Sequence, residues 1–161
     1  MKEQDSVSNA KKKVLFVTNT MGRAGAEKCL QALLELLDPE KYDLSVYSII
    51  NRGELYSDMP DYVRILNKNP CTKSVLDSAG LAAIGRQILW SLLKKCSFIT
   101  YIPYFFRVLF HQIKVKRLDF SKLFWMLLAR NAKRFDEEYD LAVAFIEGAA
   151  TYYVADYVKA K

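Results

Sequence analysis

The segment from Val14 to Leu37 limits what this chain can fold into more than any other. Val14 to Val17 is an apolar run too short for a helix and rich in strand-forming residues, the pattern of a strand buried on both faces. Gly22 and Gly25 bracket the turn that follows, and Ala26, Leu30, Leu33, Leu34 and Leu37 then recur at helical spacing. Strand, glycine loop and helix in that order make half of a βαβ crossover.

The rest of the chain extends the pattern. Asp38-Pro39 ends the first helix, because proline disfavours helical geometry in the residue before it. A second strand is predicted over Leu44 to Ile50, a turn at Asn51-Arg52-Gly53, and a short third strand over Val63 to Leu66. Helical offsets then dominate: a helix or broken pair over Val75 to Lys95, another over Tyr104 to Leu118 behind Pro103, and a third capped by Asp119 or Ser121 and ending near Phe135. Tyr139-Asp140-Leu141 echoes Tyr42-Asp43-Leu44, with Val143 and Ile146 echoing Val46 and Ile49, so the chain returns to a buried strand before a last helix over Ala149 to Val158.

Four strands alternating with helices predict an α/β fold: a Rossmann-like, mostly parallel sheet with helices on both faces. Its domain runs from residue 14 to 161, with a disordered lead-in at 1–13 and a helical insertion at about 74–135. Ligands of such sheets sit at the carboxyl ends of the strands, here Thr18 to Gly22, Asn51 and Glu147-Gly148.

Three cysteines, Cys29, Cys71 and Cys96, lack Cys-x-x-Cys spacing, which argues against a disulfide framework and a zinc site and fits a reducing cytoplasm. The polar start, ending in Lys11 to Lys13, has no apolar signal-peptide core. The longest uncharged run, Cys96 to Phe106, is about half the roughly 20 residues a membrane-crossing helix needs, and Pro103 interrupts it.

Charge is unevenly spread. Residues 85–134 hold 11 basic and 1 acidic side chains, whereas the whole chain carries only +6. The basic residues Lys94, Lys95, Arg107, Lys114, Lys116, Arg117 and Lys122 interleave with Trp90, Tyr101, Phe105, Phe110, Phe124 and others. Such a surface suits an anionic bilayer interface, where each basic residue contributes about 1 kcal/mol. The same composition also suits a buried aromatic face backed by a solvated basic one. No nucleic-acid-binding motif accompanies it, and nucleic acid is not an expected partner.

At the loop itself, helix amides without internal partners and the positive end of the helix dipole form an anion site, which glycines let a phosphate approach and Arg23 could supplement. Glycines also serve βα turns for their geometry alone, so both readings stand on spacing. The P-loop pattern is missing, and His111, the single histidine, reads as a half-exposed helical surface residue. A nicotinamide site would want Gly-x-Gly-x-x-Gly and an acid after strand two. The chain offers Gly-x-x-Gly and Asn51-Arg52, leaving an NADP-binding oxidoreductase, with Arg52 on the 2′-phosphate, as an alternative.

The string Val-Thr-Asn-Thr-Met-Gly-Arg-Ala-Gly-Ala-Glu-Lys from Val17 to Lys28, with Leu-Asp-Pro-Glu-Lys-Tyr-Asp-Leu-Ser-Val-Tyr from Leu37 to Tyr47, resembles the opening of bacterial family 4 glycosyltransferases of the two-domain GT-B fold. The resemblance covers Val14 to Asn67 and resumes from Phe135 to Lys161. It implies the N-terminal, acceptor-side portion of a retaining enzyme at the cytoplasmic membrane face. That enzyme moves a sugar from a nucleotide-sugar donor to a glycan or lipid-linked acceptor, without metal or cofactor. By position it places Gly22, Arg23, Ala24, Gly25 and Ala26 at the donor diphosphate, with Glu147 and Gly148 nearby. The residues most tied to turnover, in the donor domain, would follow Lys161, so the 161-residue chain is expected to be inactive alone. A non-catalytic membrane or protein-interaction module, built on the basic aromatic helices, is the other class of function.

Overall fold

The computed structural model describes residues 10–74 and 121–161, together with positions 82, 85, 86, 89, 106, 110, 113 and 114. Strand β1 (Lys12–Thr18) leads to helix α1 (Gly25–Leu36), strand β2 (Tyr42–Ser48), a 3-10 turn (Glu54–Asp58) and strand β3 (Arg64–Ile65). Then come α2 (Ser121–Asn131), β4 (Glu138–Tyr139), β5 (Leu141–Ala144), α3 (Ala149–Tyr157) and β6 (Lys159–Ala160).

The main sheet is parallel, with strand order β3-β2-β1-β5 and β1 near its middle. Alternation along β1 sends its side chains to two cores. Val14 and Phe16, with Leu44 and Val46 of β2, pack against Leu30 and Leu34 of α1. Leu15 and Val17, with Tyr47, pack on the other face against Leu128 and Ala129 of α2 and Ala149, Ala150 and Tyr153 of α3. The expected Rossmann-like α/β architecture with helices on both faces is therefore present.

The echoed tripeptides hold equivalent places in the sheet. Leu44 and Leu141 both pair with Val14, and Val46 and Val143 both pair with Phe16, so the two strands they open flank β1 in the same register. Their burial differs because their neighbours differ: Leu44 is 1% exposed between β1 and β3, and Leu141 is 52% exposed on β5. At Asp140 the strand bends, with the Lys13 N–H donating to the Asp140 carboxylate (2.9 Å) and the Asp140 N–H to the Lys13 carbonyl (2.9 Å). Just before the bend β4 pairs in parallel with β6.

Several boundaries move for identifiable reasons. β1 starts at Lys12, inside the segment read as a lead-in, because the Lys12 N–H donates to the Lys41 carbonyl (2.9 Å). β3 is two residues long because the Asn67 side chain takes the next place on the edge of β2. Its Oδ1 accepts the Ser48 N–H (2.9 Å), and its Nδ2 donates to the Ser48 carbonyl (2.9 Å). α2 ends at Asn131, short of Phe135, and two core tyrosines hold the chain beyond it. Tyr47 Oη accepts the Lys133 N–H (2.9 Å), and Tyr153 Oη donates to the Lys133 carbonyl (2.5 Å). Burial pushes both phenol pKa values up, which keeps the hydroxyls protonated. The helices expected over 75–95 and 104–118 fall largely outside the described residues, and each described position within them is helical.

On the face of α2 and α3, Glu137 gathers charge from two strands. Its carboxylate meets Lys13 of β1 (2.9 Å) and Arg64 of β3 (2.8 Å), Arg64 also donates to Ser45 Oγ of β2 (2.9 Å from Nη2), and Tyr139 Oη donates to the same carboxylate (3.3 Å). The hydrogen bond from Lys13, helped by Arg64, holds the Glu137 carboxyl below its ordinary value of 4.5. A carboxyl whose pKa is depressed on folding adds stability above its unfolded value and loses it as pH falls through the folded one. Glu137→Gln should therefore cost about 1 kcal/mol at neutral pH, the scale of a partly exposed ion pair. The difference from wild type should shrink in urea titrations as pH falls below the ordinary carboxyl value and through the lower folded one, and a pH-independent difference would contradict the assignment.

Candidate functional site

Thr18 to Ala24 and Phe145 to Gly148 leave the carboxyl ends of neighbouring strands towards helices on opposite faces, which is the topological switch point of the sheet. Asn19 joins the two loops. Its Nδ2 donates to the Glu147 carbonyl (2.8 Å), and its Oδ1 accepts the Ala150 N–H (3.0 Å). Asn19 thus supplies to the first turn of α3 the acceptor that a capping residue would. Gly148, which precedes α3, has φ +110°, and a Cβ there would stand 3.1 Å from Asn19 Nδ2 and 3.1 Å from the Trp125 ring. Gly148 is a conformational and packing requirement, and the Glu147 side chain is exposed beside it.

The glycine loop is shaped from the opposite side. The Met21 N–H donates to the Arg52 carbonyl (3.0 Å), and the Leu55 N–H donates to the Met21 carbonyl (2.9 Å), lacing the loop after β1 to the loop after β2. Gly53 lies against this seam with φ +149°, where a Cβ would fall 1.9 Å from the Met21 carbonyl carbon and 2.5 Å from the Gly22 nitrogen. The glycine that the turn needs is therefore Gly53. Gly25 is the first residue of α1, has helical backbone, and would place a Cβ within 4 Å of nothing. The turn-geometry explanation for Gly25 therefore fails.

Ala24, at the N-cap, offers no side-chain cap, and the Lys28 N–H is the one that closes onto the Ala24 carbonyl (3.1 Å). Gly25 is exposed and Ala26 half-buried beside these first-turn amides. Arg23 is exposed but turned away from the switch point, paired with Asp58 (2.9 Å) across a shallow recess of about 310 Å³ that Lys28 and Gln31 also line. Asn19, not the stretch Gly22 to Ala26, makes the contacts with Glu147 and Ala150.

Two further polar groups lie below the loop. Glu27, in the first turn of α1, is 4% exposed; its Oε1 accepts from Thr20 Oγ1 (3.0 Å), and its Oε2 is buried without a hydrogen bond. Arg52 is 9% exposed and donates from Nε to the Ser74 carbonyl (2.7 Å), so it is turned inward and does not present a guanidinium at the end of β2 for a 2′-phosphate. Next to it, Ser74, the Glu54 backbone and the charges of Arg23 and Arg52 hold the Glu54 carboxyl below its ordinary range.

Of the basic residues read as a membrane interface, Lys114 is helical and exposed, and Lys122 lies on α2. Lys94, Lys95, Arg107, Lys116 and Arg117 lie outside the described residues, as does His111. Among the described residues no cluster of three metal-ligating side chains occurs, Cys29 and Cys71 are free thiols, and no helix is long and apolar enough to cross a membrane.

Asn19 and Glu27 fall inside the string that carries the resemblance and Gly53 inside the predicted turn, but nothing in their spacing marks the contacts they make. Asn19 sits in a Thr-Asn-Thr after the strand, Glu27 occupies a helix position where an acid is ordinarily solvated, and Gly53 resembles any turn glycine.

If Asn19 holds the switch point together, Asn19→Ala should cost about 1–3 kcal/mol in urea unfolding, since it leaves a buried amide without an acceptor. Gly53→Ala should cost more, at least about 3 kcal/mol, because positive φ and a backbone collision act together. Near-wild-type stability of either variant would contradict the geometry described. Against protein-family models, curated proteins and solved structures, the chain finds no match.

Proposed function

We propose that this chain is the acceptor-side portion of a retaining glycosyltransferase, and that the diphosphate of a nucleotide-sugar donor binds at the first turn of α1. The observation that carries the reading is Gly25: an exposed helix-start glycine with no steric or conformational duty, at the carboxyl edge of the sheet, behind an N-cap without a side-chain acceptor. Amides in that position are available to an anion, and the missing side chain lets phosphate oxygens come close. The resemblance of Val17 to Lys28 to family 4 glycosyltransferases supplies the substrate class.

Chemically, sugar transfer leaves negative charge on the departing diphosphate. Fixed amide donors stabilise that charge where it develops, and removal of one such donor costs about 2.7–4 kcal/mol of transition-state energy in comparable sites. Glu27 already sets a carboxylate in the first turn on the buried side of α1, so the diphosphate belongs on the exposed side, at the amides of Gly25 and Ala26. The acceptor, a glycan or lipid-linked saccharide, approaches over the loop from Phe145 to Gly148, whose shape Asn19 maintains.

Calorimetric titration with uridine, guanosine and adenosine diphosphates tests the reading. At least one should bind, and Gly25→Val should weaken it about tenfold or more with a melting temperature close to wild type, since the added side chain meets open space. Arg23→Ala should have the smaller effect, because Asp58 already holds that guanidinium. Absence of binding by all three at millimolar concentration, or undiminished binding by Gly25→Val, would overturn the proposal.

A further inference from the structure

The side of α1 that begins at Gly25 runs on into the recess beside Arg23. Gly25, Lys28, Ala32 and Glu35 follow one another at steps of three and four residues, so they form one stripe about 15 Å long. All four are exposed. The 3-10 turn lies alongside and contributes Leu55 and Asp58 to the recess, whose volume is about 310 Å³. Apart from Ala32 and the buried Leu55, every residue lining it is charged or carries an amide.

Helix, turn and glycine loop are fixed to one another around this space. Gln31 Nε2 donates to Glu35 Oε1 (3.0 Å) and to the Asp58 carbonyl (3.2 Å), Arg23 donates to Asp58 Oδ2 (2.9 Å), and the Leu55 N–H donates to the Met21 carbonyl (2.9 Å). Each carboxylate thus spends one oxygen on the protein. Glu35 Oε2, Asp58 Oδ1 and the Gln31 side-chain oxygen accept no hydrogen bond among the described residues, and Lys28 makes no ion pair among them.

We propose that this recess is the subsite for the hydroxylated ring carried by a diphosphate at the first turn of α1, a placement that rests on the diphosphate reading. The ring is either the ribose of the nucleotide or the sugar to be transferred. Hydroxyls both donate and accept, and the recess offers three vacant acceptors beside the Lys28 ammonium. Another phosphate group would instead meet the like charges of Glu35 and Asp58. The volume lies at the lower end of the roughly 300–1,000 Å³ of small-molecule sites, which suits one ring and not a whole nucleoside. Lys28 stands one turn from Gly25, about 4.5 Å along the axis, so a ring bonded to a phosphate at Gly25 falls at the recess.

Calorimetry on the full chain tests this with pyrophosphate, with uridine, guanosine and adenosine diphosphates, with their 2′-deoxy counterparts, and with the same diphosphates carrying glucose. At least one ring-bearing ligand should bind about tenfold or more tightly than pyrophosphate. Asp58→Asn and Gln31→Ala should each cut that ratio about threefold or more while leaving melting temperature near wild type, since both side chains sit at the surface. Asp58→Asn should leave pyrophosphate binding unchanged or stronger, because it releases Arg23. A ratio lost on 2′-deoxy substitution assigns the ring to ribose, and a ratio gained only with glucose assigns it to the transferred sugar. Pyrophosphate binding as tightly as every ring-bearing ligand, a ratio that neither variant lowers, or one that neither ring change alters would overturn the subsite and leave the diphosphate site standing. Absence of binding by every ligand, pyrophosphate included, would overturn both.

Discussion

The first loop owes its shape to a contact that only glycine permits. At Gly53 the chain passes so close to the Met21-Gly22 peptide that any side chain would overlap backbone atoms, and that approach lets Met21 exchange hydrogen bonds with Arg52 and Leu55. The seam ties the loops after β1 and β2 to one another, and the loop after β1 delivers the chain to the start of α1. Whatever the helix start binds, its position relative to the sheet depends on this seam. Asn19 extends the arrangement across β1 to the start of α3, so one short loop sets where two helices begin on opposite faces.

The sheet uses its polar residues differently on its face and at its carboxyl edge. On the face covered by α2 and α3, Glu137 ties β1 to β3 through Lys13 and Arg64, and Arg64 in turn meets Ser45 of β2. Such a network stabilises and orients strands, with its charges paired to one another. At the carboxyl edge, satisfied contacts sit below the surface, at Asn19, Thr18 and Met21, whereas Gly25, Ala24 and the Glu147 side chain face solvent. Conformational work there falls to Gly53 and Gly148, which leaves Gly25 without a structural assignment.

Much of the architecture was legible because parallel strands buried on both faces leave plain signals. Val14 to Val17, the leucines of α1 and the echo at Tyr139-Asp140-Leu141 led to the right sheet, and the echo proved to be a matched register on either side of β1. Strand ends were less readable, since the Asn67 side chain replaces backbone pairing and the Lys13–Asp140 contact breaks a strand, and neither leaves a periodic trace. The site was legible in outline alone. The spacing of Gly22 and Gly25 drew attention to the loop but could not say that the close approach occurs at Gly53, that Arg23 pairs with Asp58, or that Arg52 turns inward. Those facts follow from contacts between loops far apart in sequence, which local pattern does not encode.

The central claim is that the exposed start of α1 is a diphosphate site on a scaffold whose own needs are met elsewhere. Backbone amide shift mapping of the full chain, titrated with the nucleoside diphosphate that binds, addresses it residue by residue. Saturable shifts should concentrate at Gly22 to Glu27, with smaller ones at Glu147 to Ala150 transmitted through Asn19. Saturable shifts confined to Lys12, Lys13, Arg64 and the Glu137 network, or spread over the basic segment 85–134 and lost with moderate salt, would contradict it.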